Sequence, residues 1–168
     1  MTQTLFIVDG YNVLHALFRG ASKEEIFARR DWLADKLAGF AALRGARAVL
    51  VFDGHGPLSS SCTPIKGAAV EVCFAGGPYT ADTLIARRIA QRPADVMVVV
   101  VSADQEVQRT AARAGVSRMT PLELGAQLHD PDESLDSSHE ASRMPSRLED
   151  KVDPETLRRL EEMRNKPQ

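Results

Sequence analysis

The run Val96-Met-Val-Val-Val-Val101 restricts the fold more than any other stretch of the chain. It has the length of a strand, is rich in β-branched residues and is apolar without alternation, so both of its faces must be covered. It is expected to lie at the centre of a sheet. Leu5–Val8 and Ala48–Phe52 have the same character. Ala69–Phe74 alternates and reads as a strand nearer an edge, and Val116–Met119 is a short strand. Helical patterns lie between them. Ser22-Lys-Glu-Glu25 has the form of a capping box. It opens a helix to about Arg44, with Ile26, Leu33, Leu37, Phe40 and Ala41 at helical spacing and Gly45 as its stop. Thr80 caps a helix to about Gln91. Ser102-Ala-Asp-Gln105 opens one to Ala114, and Thr120-Pro-Leu-Glu123 opens another. GHGPLSSSCTPIKG, 54–67, reads as loop. Strands alternating with helices predict an α/β domain with a mostly parallel sheet.

That domain should end near residue 129. The stretch 130–152 is acidic and nearly free of large apolar residues, the composition of a disordered linker. Asp153-Pro154 can open a terminal helix over 153–168, with Leu157, Leu160 and Met163 on one side. Charge follows the same division. Residues 1–129 hold 14 Lys+Arg and 12 Asp+Glu, whereas 130–168 hold 7 and 11, which together give the net −2 of the chain. The globular part is therefore no basic nucleic-acid module, and any polyanion must bind through a local patch. No apolar run approaches the ~20 residues of a membrane span, so no membrane partner is expected. MTQTLFIVDG lacks a basic region and a cleavage site, so no signal peptide is expected. Cys62 and Cys73 are too few for a disulfide framework, and a cytoplasmic protein with reduced thiols is the expectation.

Acids gather at the strand ends. Asp9 follows the first apolar run without a spacer, Asp53 follows the second, and Asp104 lies just past Val101. Asp82 falls in the first turn of the helix after Thr80, and Asn12 is three residues past Asp9. In open α/β sheets ligands bind beyond the carboxyl ends of the strands. If the first strand and the VMVVVV strand are neighbours, Asp9 and Asp104 face one crevice and Asp82 reaches it from the side. Carboxylates so gathered repel one another unless protonated or bridged by a cation. An all-oxygen set selects a hard divalent ion such as Mg²⁺ or Mn²⁺, which can activate water against a phosphodiester. Taken singly, Asp82 and Asp104 read equally as first-turn acids answering a helix dipole, and Asp53-Gly54 as a turn.

VDGYNVLHA (8–16), VFDGH (51–55), VEVCFA (70–75), YTADTLIARRI (79–89) and VVVSADQEVQRTAARAG (99–115) together resemble the YacP-like branch of the NYN domains. The VDGYN element is the most specific of them. The resemblance implies a PIN-like, Rossmann-like three-layer sandwich followed by the acidic linker and short helix. It also implies a metal-dependent endoribonuclease acting on RNA, with ribosome-associated mRNA as the setting. By position, Asp9, Asp82 and Asp104 are the implied metal ligands, Asn12 the asparagine of the opening motif and Asp53 the second-strand acid. The family commonly places glutamates where this chain has Thr83 and Ala86, and Thr-Ser-Asp where it has Ser102-Ala103-Asp104. The carboxylate count is thus lower than in the fullest versions of the site. A non-catalytic RNA- or ribosome-binding module on the same fold is the alternative those losses raise. Another metal-dependent phosphate hydrolase is the second, although haloacid-type phosphatases use Asp-x-Asp and position 11 here is Tyr.

Arg87, Arg88 and Arg92 follow Asp82 on one helix, and Arg109 and Arg113 are four apart on the next. They read either as phosphate contacts or as solvated helix faces. Tyr11 and Tyr79 read either as stacking platforms for bases or as half-buried packing. His15 and His55 lack metal spacing, and the cysteines lack the partners of a zinc site.

Overall fold

The computed structural model describes residues 2–54 and 60–128. The expected linker and terminal helix, and His55, lie outside the described residues. Six strands form one sheet: β1 (Gln3–Asp9), β2 (Arg47–Asp53), β3 (Ser61–Pro64), β4 (Val70–Ala75), β5 (Val96–Val101) and β6 (Ser117–Met119), in the order β3-β4-β2-β1-β5-β6. All neighbours run parallel except β3 and β4. Among the described residues six helices accompany them: α1 (Gly10–Leu17), α2 (Lys23–Ala28), α3 (Arg30–Leu43), α4 (Ala81–Ala90), α5 (Gln105–Arg113) and α6 (Pro121–Leu128).

Successive side chains of a strand point to opposite faces, and the apolar runs supply both. Phe6, Val8, Ala48, Leu50 and Phe52 enter one core with Leu14, Leu33, Leu37, Phe40 and Leu124 from α1, α3 and α6. Ile7, Val49, Val51, Val98 and Val100 enter the other with Ile85, Ile89, Val107 and Ala111 from α4 and α5. The sheet is thus the middle layer of the three-layer α/β sandwich that the alternation of strands and helices required. Ser22 and Thr120 cap α2 and α6 through reciprocal boxes with Glu25 and Glu123.

Several local readings are corrected. The most apolar run, β5, is interior but stands beside the edge strand β6, and the central pair is β2 and β1. The long helix from Ser22 is two helices, broken at Arg29 (φ −90°, ψ 1°). Its guanidinium lies 3.9 Å from the Phe18 ring centre. The break turns Phe27 toward Tyr11, with ring centres 5.6 Å apart. VDGYN runs straight from strand into helix α1. Residues 61–64, read as loop, form the edge strand β3. Antiparallel pairing sets Cys62 opposite Cys73 with a Cα–Cα distance of 4.0 Å, and the two are joined as a disulfide rather than held as reduced thiols. Without β3 in view, nothing in the sequence brings those cysteines together. Among the described residues no helix is long and apolar enough to cross a membrane.

Gly10, between Asp9 and α1, has a packing reason. A Cβ there would stand 2.3 Å from the Phe52 ring. That ring is 1 % exposed and wedged between Tyr11 (4.8 Å) and Phe74 (5.6 Å), so it cannot swing aside. Alanine gains about 1 kcal/mol of helix propensity, whereas overpacking a closed core costs roughly 1–3 kcal/mol. Gly10→Ala is therefore expected to destabilise the fold on balance, read as a lower midpoint in urea unfolding at unchanged slope.

Candidate active site at the carboxyl ends of the strands

Parallel strands end together, and their register decides what meets there. Val8 pairs with Val101, so Asp9 and Ser102 come next to each other one residue beyond. Asp9 pairs with Val51, which leaves Asp53 two residues further out on β2. Asp9 holds the position before the first residue of α1 yet makes no side-chain cap there. Its Oδ2 instead accepts from Ser102 Oγ at 2.9 Å. Among the described residues these two are the buried polar ones, 8 % and 1 % exposed. The spacing of Ser102 is that of a helix cap, but the register places it elsewhere. The cap of α5 is Asp104, and Ser102 is a bridge whose Oγ also accepts from the Asp104 N–H at 3.0 Å. Gln108 Nε2 donates to the Ser102 carbonyl at 2.7 Å and pins the same turn.

The other acids are placed by similar bonds. Asp104 Oδ1 accepts from the N–H groups of Glu106 (2.8 Å) and Val107 (3.2 Å). The helix-terminus reading of Asp104 holds for that oxygen, and Oδ2 stays out of the cap. Asn12 Oδ1 accepts from Ala103 N–H at 2.7 Å and ties α1 to the β5–α5 turn. Asp53 is no mere turn residue. Its Oδ1 accepts from Ala81 N–H at 2.6 Å, fastening the first turn of α4 to the end of β2. Gly54 lets the strands close there: its N–H bonds the Ala75 carbonyl at 2.9 Å, and a Cβ would stand 2.4 Å from that oxygen. Asp82, one residue past the clamp, is exposed in the first turn of α4.

Electrostatics shows that these carboxylates share a field. The carboxyl of Asp9 is pushed up to about 6, first by burial and then by the charges of Asp82, Asp53 and Asp104, with the Ser102 hydrogen bond opposing. Asp82 is also raised, by partial burial and then by Asp104, Asp53 and Glu106. No basic group contributes to either shift. Glu106 is the acid that sequence reasoning missed. It stands two residues past Asp104, in Ser102-Ala-Asp-Gln-Glu106, where it passed for an ordinary first-turn acid. Thr83 is occupied in the cap of α4, bonded to Thr80 through its N–H (3.3 Å) and its hydroxyl (3.0 Å).

A hard divalent cation fits this donor set, because it would relieve the repulsion that burial and crowding build up. Asp9, Asp82 and Asp104 are the residues that would hold it. Among the described residues no three of these carboxylates approach within 4.8 Å of one another. A tighter trio, Cys62, Glu71 and Cys73, does exist. Its sulfurs are joined to each other and Glu71 ion-pairs Arg88 at 2.9 Å, so it offers no ligand set.

The candidate arginines divide. Arg88 is committed to Glu71 and the disulfide sulfurs, and Arg92 to the carbonyls of Ile89 and Ala114. Arg109 pairs loosely with Glu106 at 3.4 Å, and Arg113 is exposed in the last turn of α5. Arg87 lies 5.2 Å from the Tyr79 ring centre. Tyr11 packs against Phe27 and Phe52, whereas Tyr79 is 39 % exposed.

Asp9 has a thermodynamic signature. Its folded-state value of about 6 lies above the ordinary 3.8, so the unfolded chain loses this proton first as pH rises. Between about pH 4 and 6 the folded state binds more protons, and stability must fall with rising pH. The difference approaches about 3 kcal/mol above that window. Asp9→Asn keeps an oxygen for Ser102 and removes the charge. In chelator, the variant is expected to become progressively more stable than wild type from about pH 4 to 6, with a constant gap above. Urea unfolding across that range measures it, and parallel curves for the two proteins would contradict it.

The geometry can be set beside known proteins. No curated protein sequence matches the chain. Among solved structures, Rae1 (YacP) from Bacillus subtilis superposes with a TM-score of 0.61 at 25% identity, over 82% of this chain and 78% of that one. A tryptophan-to-leucine mutant of the same protein gives 0.62 at 25% identity, over 83% and 80%. The family profile described as YacP-like NYN domain matches residues 6–165, which includes most of the stretch read as linker and terminal helix. The chain therefore belongs to the YacP-like NYN domain family, of the PIN-like nuclease type.

Proposed function

We propose that the chain is an endoribonuclease that hydrolyses RNA phosphodiester bonds at the mouth formed by Asp9, Asp82 and Asp104, with Mg²⁺ or Mn²⁺ as its cofactor. The observation that carries the reading is the crowding of Asp9, which is buried and surrounded by the charges of three further aspartates. A bound divalent ion supplies charge stabilisation and an activated water in such a site. The chain's own part is positioning. Ser102 holds one oxygen of Asp9, Asn12 fixes the turn that carries Asp104, and Asp53 fixes the helix that carries Asp82. Glu106 adds charge on the Asp82 side. The finer proposal, mRNA on the ribosome, rests on the family resemblance.

Cleavage of a labelled RNA by the full chain is expected with Mg²⁺ or Mn²⁺ and is expected to stop in EDTA. Asp9→Asn, Asp82→Asn and Asp104→Asn should each lower the rate by roughly 10²–10³-fold, the loss typical when one preorganised charged group leaves a site. Asp53→Ala should cost less, because it loosens α4 without removing a ligand. Equal cleavage by wild type and Asp9→Asn would refute the assignment. The non-catalytic alternative is kept by Thr83 and Ala86, where the family commonly has glutamates. It predicts RNA binding that survives both EDTA and Asp9→Asn, with no cleavage by either protein.

A further inference from the structure

A groove of about 660 Å³ opens beside the acids and shares Asp53 with them. Its walls come from Tyr11 and His15 of α1, Lys23 and Phe27 of α2, and Tyr79 in the turn before α4. The Tyr11 ring is backed by Phe52 at 4.8 Å, so it is a fixed wall. Tyr79 is the adjustable one, exposed at its rim with the Arg87 guanidinium 5.2 Å from its ring centre. Cations gather around these rings. Lys23 Nζ lies 5.6 Å from the Phe27 ring centre, and the Arg30 guanidinium lies 5.3 Å from it.

The polarity of the surface therefore reverses over a short span, from carboxylates at the strand ends to aromatic rings with cations at the groove. A ligand spanning both needs flat apolar faces and anionic links in alternation. Single-stranded nucleic acid has that alternation, with bases free to stack on aromatic side chains and phosphates free to meet lysine and arginine. A duplex keeps its bases stacked internally and offers them to no such wall. An acidic peptide would use the cations and leave the rings idle.

Resting on the nuclease reading, we propose that this groove seats one unpaired RNA nucleotide next to the bond presented to Asp9, its base against Tyr79 and Tyr11 and its phosphate against Lys23. Recognition of the substrate thus falls mainly on the α2 side of the mouth, and it makes the chain selective for single-stranded segments.

The test is binding of the full chain to a fluorescein-labelled single-stranded oligoribonucleotide of about twelve nucleotides, followed by anisotropy in EDTA so that metal-dependent cleavage is arrested. Tyr79→Ala should weaken binding about tenfold, and Tyr79→Phe should restore it. Lys23→Ala should lower the slope of log affinity against log salt by about one. A hairpin of equal length should bind more weakly than the single strand. Thermal melts of each variant confirm folding, since both side chains are exposed. Affinity for the RNA unchanged in both Tyr79→Ala and Lys23→Ala overturns the proposal, as does competition by an acidic peptide that remains equally strong against Tyr79→Ala. The two readings fail separately. Cleavage retained by Asp9→Asn removes the nuclease assignment while the binding differences stand. Loss of cleavage in Asp9→Asn with unchanged binding in the groove variants removes only the seat.

Discussion

Asp9 is a carboxylate held out of water at the end of the central strand β1, with three other aspartates close enough to oppose its ionisation. Parallel topology makes this arrangement hard to avoid. Strands that run together end together, and each of the two acids that terminate β1 and β2 is delivered to the same edge by apolar residues that must stay in register. Much of the remaining local structure reads as bracing for that edge. The Ser102 hydroxyl spans from Asp9 to the backbone of Asp104, Asn12 ties the neighbouring turn, and Asp53 ties α4. The bonds of Ser102 to Asp9, of Asn12 to Ala103 and of Asp53 to Ala81 each join residues far apart in sequence.

The larger features of this edge were legible from residues alone. Unalternating apolar runs require covered faces, an acid immediately after such a run lies at a strand end, and capping boxes mark where helices begin. The fold class and the strand-end position of Asp9 follow from those patterns, whereas a crevice shared with Asp104 required that β1 and β5 be neighbours, which the strand pairing supplies. Roles that depend on register were not legible. Asp53 and Ala81 are separated in sequence by β3 and β4, and the pairing of β2 with β4 brings that carboxylate to that N–H. Ser102 had the right spacing for a cap and lost that role because the register with β1 buries it. Glu106 looked ordinary because its significance depends on a residue of another helix.

The same limit explains the cysteines. Counting them gave the expectation of free thiols, because the segment carrying Cys62 looked like loop. Serine, threonine and proline are turn formers, and Ser61–Pro64 is exposed throughout, so no periodicity marks it. Its pairing is induced by the strand beside it rather than encoded locally, as is common for residues whose strand propensity depends on context.

That edge strand has a consequence for how the molecule meets its own kind. The sheet is bounded by β3, four residues ending in Pro64, and by β6, three residues long. Strands so short present few unpaired N–H and C=O groups, and proline removes one donor outright, so neither border is a good template for another chain to extend the sheet. The long apolar strands that would be hazardous at a border, β1, β2 and β5, are all interior. The valine- and isoleucine-rich strands of the described residues are thereby kept away from the borders where edge-to-edge pairing would begin.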